Sequence, residues 1–131
     1  MDAIRVGFIG CGGNASGHVG RILGMGECEV VGLCDVSGES IERVQERHRE
    51  QHPHIVDVPV FEDYQEMLDK VEMDAVEIST PHTLHFEQIV AALDKGLHVL
   101  TEKPMVCTVD HAHQVIDKAE ETGKVLMISY Q

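Results

Sequence analysis

Ala3-Ile4-Arg5-Val6-Gly7-Phe8-Ile9-Gly10-Cys11-Gly12-Gly13-Asn14-Ala15 opens a chain of 131 residues. Residues 3–9 have the length and apolar content of a buried strand, and Gly10 to Ala15 satisfy G-x-G-x-x-A. Between a strand and a helix, each position of that pattern has a task. Gly10 allows a tight turn, Gly12 removes a side chain where a pyrophosphate must approach the backbone, and Ala15 lets the next helix pack close to the strand. The unpaired amides at the helix start then face an anion. Gly10, Cys11, Gly12, Gly13, Asn14 and Ala15 are therefore the expected dinucleotide-binding turn.

The residues beyond the turn supply its context. Ala15, Val19, Ile22 and Leu23 recur at helical spacing until Gly24 and Gly26 stop the run, and residues 29–34 form a second strand ending on Asp35. Asp35 lies twenty-five positions after Gly10, near the spacing of an acid that accepts hydrogen bonds from an adenosine ribose. A carboxylate there repels a 2′-phosphate, and no Arg or Lys follows Asp35 until Arg43, so the sequence favours NAD over NADP.

Ser37 is placed to cap a polar helix carrying Ile41 and Val44, which runs towards His52 and Pro53. Residues 58–61 read as a third strand, and Asp63 with Glu66 has capping-box spacing before a short helix with Met67 and Leu68. Residues 75–80 are a fourth strand; Phe86, Ile89, Val90 and Leu93 then mark a helix that stops at Gly96. Residues 97–101 form a fifth strand, Thr108 caps a helix ending at Gly123, and residues 124–130 form a sixth. Six strands alternating with five helices imply an α/β fold, a doubly wound parallel sheet of Rossmann type in one domain over residues 1–131.

Composition narrows the partners. Ten Lys and Arg against 23 Asp and Glu give a net charge of −13, which repels phosphate backbones and anionic lipids, so neither nucleic acid nor a membrane is an expected partner. No apolar stretch approaches the ~20 residues of a membrane span. The amino terminus lacks a basic leader with an apolar core, which makes the cytoplasm the expected location. Cys11, Cys28, Cys34 and Cys107 show no paired spacing and read as reduced thiols. His82 and His85 lack a third ligand nearby, so no metal site is expected, and His111 and His113 read as solvated.

A second set of motifs lies downstream: Asp74-Ala75-Val76-Glu77-Ile78-Ser79-Thr80-Pro81 leads to His85, then to Ala92-Leu93-Asp94-Lys95-Gly96-Leu97-His98-Val99, and finally to Glu102-Lys103-Pro104. With Gly10-Cys11-Gly12-Gly13 and His18, this resembles the glucose–fructose oxidoreductase and inositol dehydrogenase family, also called Gfo/Idh/MocA. The resemblance implies an NAD(P)-dependent enzyme acting on a sugar or cyclitol alcohol. It places Thr80, Pro81 and His85 beside the cofactor and Glu102 and Lys103 at the nicotinamide and substrate end. Lys103 is the expected catalytic residue, its ammonium polarising the reacting oxygen, and its bond to Pro104 is commonly cis in the family.

The same resemblance implies a further carboxy-terminal α/β domain, absent from these 131 residues, that supplies the general base, much of the substrate pocket and the contacts of a homo-oligomer. The chain by itself is then expected to bind dinucleotide weakly and to turn over nothing measurable. Two other functions stay open: a glycosidase that uses bound NAD for a transient oxidation, and a non-catalytic, cofactor-binding regulator of the same fold.

Overall fold

The computed structural model describes residues 2–130. Strands β1 (Ile4–Ile9), β2 (Cys28–Cys34), β3 (Val60–Phe61), β4 (Ala75–Ile78), β5 (His98–Glu102) and β6 (Leu126–Ser129) form one sheet in the order β3-β2-β1-β4-β5-β6. Every pairing is parallel, as the alternation of strands and helices requires. The chain works outward from β1 to β3 and then crosses to β4. The strand order thus reverses between β1 and β4, which opens a crevice at their carboxyl ends.

Helices α1 (Gly13–Leu23) and α2 (Gly38–His48) cover one face; α3 (Tyr64–Lys70), α4 (His85–Asp94) and α5 (Val109–Thr122) cover the other. The first core joins Val6, Phe8 and Leu33 of the sheet to Val19, Ile41 and Val44 of the helices. The second joins Val76, Ile78 and Val99 to Ile89, Leu93 and Val115. Caps set the helix limits where the sequence places them: the Ser40 N–H donates to Ser37 Oγ, the His111 N–H donates to Thr108 Oγ1, and Gly123 ends α5 at φ 68°.

Several boundaries differ from the sequence reading. A 3-10 turn at Pro53–Asp57 buries Ile55, so α2 stops at His48 and β3 keeps two residues of the four expected. Strand β4 ends at Ile78 rather than residue 80, because Ser79 and Thr80 turn into the crevice. The capping box is one-sided: Asp63 accepts the Gln65 N–H at 2.9 Å, whereas Glu66 pairs with Lys70 at 2.5 Å. His111 is not simply solvated; its ring stacks on Phe86 with centroids 3.8 Å apart.

On the α1 side, the hydrophobic core does not extend over the β5–β6 edge of the sheet among the described residues, although Glu77 and Glu102 beside it are buried. Glu77, Leu100 and Met127 follow Phe8 in register across β4, β5 and β6, on the side of α1, yet the α1–α2 core reaches no further than Ala75. Met127 is 60% and Val125 59% exposed. Parallel sheets are normally covered on both faces, and bare apolar strands associate. Analytical ultracentrifugation of the chain is expected to show concentration-dependent association that Met127→Lys weakens; a strict monomer at high concentration would remove this expectation.

Candidate functional site

The glycine turn joins β1 to α1. Gly10 has φ +95°, and a Cβ there would sit 2.4 Å from the Ser79 carbonyl oxygen, so this position admits glycine alone. Gly12 and Gly13 are different: a Cβ at either would meet nothing within 4 Å. The fold therefore has no internal need for glycine at Gly12, and the open space before it is what a close-lying phosphate requires. Gly12 caps α1 without a side-chain partner, which leaves the first amides of the helix pointing outward with Asn14 exposed beside them. Ala15 is fully buried and serves the packing of α1.

Asp35 closes the turn on the β2 side. Its Oδ2 accepts the Cys11 N–H at 2.8 Å and its Oδ1 accepts the Ser37 N–H at 2.8 Å. Each oxygen keeps a second lone pair, and the carboxylate borders a crevice of about 310 Å³ lined by Ile9, Gly12, Tyr64, Thr80 and Leu84 among others. The Cys11 amide is thus committed to Asp35 rather than free for an anion. Across the same turn, Ser16, Ser40, Arg43 and Arg47 border a second hollow of about 280 Å³. Tertiary packing therefore brings Arg43 near Gly13, although the two are thirty positions apart in sequence.

At the other end of the crevice lie β4 and β5. Pro81 is exposed, and the Thr80 hydroxyl donates to Gln88 Oε1 at 2.5 Å. Lys103 is exposed, and its peptide bond to Pro104 is cis. Buried Glu102 holds His18 Nε2 at 2.7 Å through Oε1, an ion-pair geometry that ties α1 to the end of β5.

His85 departs from the expectation that it touches a cofactor. It is fully buried, with Nδ1 2.8 Å from the Pro104 carbonyl oxygen and Nε2 3.0 Å from that of Thr80. Standing at the first residue of α4 and turned inward, it props the loops that carry Thr80 and Lys103 and has no surface to offer a ligand.

Two residues are not singled out by the sequence reading. His18 enters it only as part of a resemblance, and Glu77 has no role in it. Glu77 is 2% exposed; its Oε1 accepts the Ser79 hydroxyl at 2.5 Å while Oε2 has no partner. Burial, with the nearby Glu102 carboxylate adding to it, pushes its pKa up to about 8. The available signal was a charged residue inside the four-residue apolar strand β4. The buried thiols are chemically quiet, since burial raises Cys11 and Cys34 to about 12.

A family model described as an oxidoreductase family with an NAD-binding Rossmann fold, Gfo/Idh/MocA, matches residues 4–130. The chain belongs to the Gfo/Idh/MocA family. Among its relatives, a glycosyl hydrolase family 109 protein of Shewanella pealeana is 33% identical over 130 residues, covering 98% of this chain and 28% of the relative. A dehydrogenase from Chromobacterium violaceum superposes with TM-score 0.85 at 32% identity, over 98% of this chain and 36% of that one. The WlbA dehydrogenase of Bordetella pertussis, solved with NADH and UDP-GlcNAcA, gives TM-score 0.84 at 26% identity over 97% and 37%. The chain thus spans between a quarter and two fifths of the length of these Gfo/Idh/MocA relatives.

Proposed function

We propose that this chain is the dinucleotide-binding domain of an enzyme that moves hydride between NAD and a hydroxyl-bearing carbon of a sugar or cyclitol. The observation that carries the reading is the open space before Gly12 and Gly13, bordered by Asp35. Bound NAD supplies the hydride acceptor. The amides at the start of α1 hold the diphosphate, which local dipoles must do because the chain as a whole carries −13 charges. Asp35 accepts from the adenosine ribose with the lone pairs that Cys11 and Ser37 leave unused. Thr80 and Pro81 border the nicotinamide half of the crevice, and the Lys103 ammonium donates to the reacting oxygen. A base for the hydroxyl proton comes from a further domain of a longer polypeptide, which also completes the substrate pocket and a homo-oligomer.

Calorimetric titration of the chain tests the cofactor site. NAD is expected to bind and NADP to bind at least roughly tenfold more weakly, a gap of ~1.4 kcal/mol. Asp35→Ala weakens NAD and narrows the gap. Failure of either dinucleotide to bind, or equal affinities in the unaltered chain, would refute this reading.

A second reading is favoured by the 33% identity to a glycosyl hydrolase family 109 protein: a glycosidase that oxidises the sugar transiently and returns the hydride. Assays of the longer enzyme separate the two. Accumulation of NADH with free sugars supports the dehydrogenase, and cleavage of aryl glycosides without net NADH supports the hydrolase.

A further inference from the structure

Glu77 and Glu102 are two buried carboxyl groups on adjacent parallel strands. Glu77 lies opposite Leu100, and Glu102, two residues further along β5, shares its face of the sheet. Glu102 is satisfied by His18. Glu77 has one oxygen on the Ser79 hydroxyl and one with no partner, and it is flanked in register by Phe8 and Leu100. The groups that bear on it are Ser79 just beyond the end of its own strand, Glu102 from β5 with His18 of α1 behind it, and the Cys11 thiol from the glycine turn. Ser79 also lines the dinucleotide crevice, and its hydroxyl is the group bonded to the buried carboxyl.

Two carboxylates in an apolar setting cannot both ionise cheaply, and the second ionises when a positive charge is brought near. The oxidised and reduced dinucleotides differ in this respect: the nicotinamide ring of NAD⁺ carries a positive charge and that of NADH none. We propose that Glu77 is a proton site linked to the redox state of the cofactor, protonated in the free chain and with NADH, and giving up its proton to solvent by way of Ser79 when NAD⁺ binds. The inference rests on the reading above, in which the nicotinamide lies at the Glu102–Lys103 end of the crevice. The balance is one proton released for each NAD⁺ bound, with no electron moved. NAD⁺ affinity then rises with pH and NADH affinity does not. When substrate oxidation turns NAD⁺ into NADH and the ring loses its charge, Glu77 takes one proton back from solvent, separate from the hydroxyl proton that the base accepts.

Calorimetry of the 131-residue chain with NAD⁺ and with NADH, in buffers of different ionisation enthalpy at pH 7, tests this. With Glu77 raised to about 8 by burial, close to one proton should be released per NAD⁺ and almost none per NADH. NAD⁺ affinity should tighten by up to ~tenfold per pH unit between pH 6 and 7. Glu77→Gln should bind both dinucleotides and lose the buffer and pH dependence. Infrared difference spectra of the unaltered chain give an independent readout, the protonated-carboxyl band disappearing with NAD⁺ and persisting with NADH. Binding of NAD⁺ without proton release, release that survives Glu77→Gln, or a carboxyl band indifferent to the cofactor overturns the proposal and leaves the cofactor site intact. Absence of binding by either dinucleotide overturns the site reading and this proposal with it.

Discussion

Replacing Gly10 by alanine is expected to destabilise the chain by at least ~3 kcal/mol, whereas Gly12→Ala leaves stability within ~0.5 kcal/mol and costs dinucleotide affinity instead. The difference lies in the surroundings of each glycine. At Gly10 a methyl group meets a backbone carbonyl at 2.4 Å, on a residue whose φ of +95° already disfavours any side chain. The carbonyl belongs to Ser79, so relief requires β1 and β4 to separate at the middle of the sheet. At Gly12 the same methyl group enters open space and meets no protein atom within 4 Å. Denaturant unfolding of both variants, with NAD titration of the second, checks the pair. Equal loss of stability in the two, or full NAD affinity in Gly12→Ala, would show that the turn is structural only.

The second large effect is on the pH dependence of stability. Glu77 has a folded-state pKa near 8 against an ordinary value of 4.5, because burial disfavours its charged form. Below about pH 4.5 both folded and unfolded chains carry the proton, and the group costs nothing. Between 4.5 and 8 the unfolded chain has released the proton while the folded chain retains it, so stability falls as pH rises; above 8 the loss levels off. The full loss from this one group is at most ~5 kcal/mol, at about 1.4 kcal/mol per pH unit. Glu77→Gln should therefore flatten the stability profile between pH 5 and 8 and be the more stable chain at pH 8, with the gap closing towards pH 5. Urea unfolding at pH 5, 6.5 and 8 measures it. Parallel profiles for the two proteins would place the carboxyl in contact with water.

Much of the fold is legible in the sequence because it depends on local rules. The apolar spacing of Val19, Ile22 and Leu23, the caps at Ser37 and Thr108, and the stop at Gly123 each involve residues within a few positions of one another. Boundaries shift where a local pattern meets a tertiary demand, as where Ile55 is drawn into the core by a 3-10 turn and shortens β3. The candidate site is legible in part. The spacing from Gly10 points to Asp35 but not to its bonds with the Cys11 and Ser37 amides, and Arg43 is remote along the chain until α2 lays it beside the turn. His85 shows the reverse: a motif suggests a ligand contact, and packing turns the ring inward onto two carbonyls.

The sequence by itself determined the alternation of strands and helices, the glycine turn and the acid at the end of β2, since these arise from periodicity and from the steric needs of neighbouring residues. Only the tertiary structure decided which polar groups meet. His18 and Glu102 are 84 positions apart, and Glu77 acquires its surroundings from β1, β5 and the glycine turn. Such pairings are set by strand order and by which face each helix covers, and the electrostatic properties of the site are products of that arrangement.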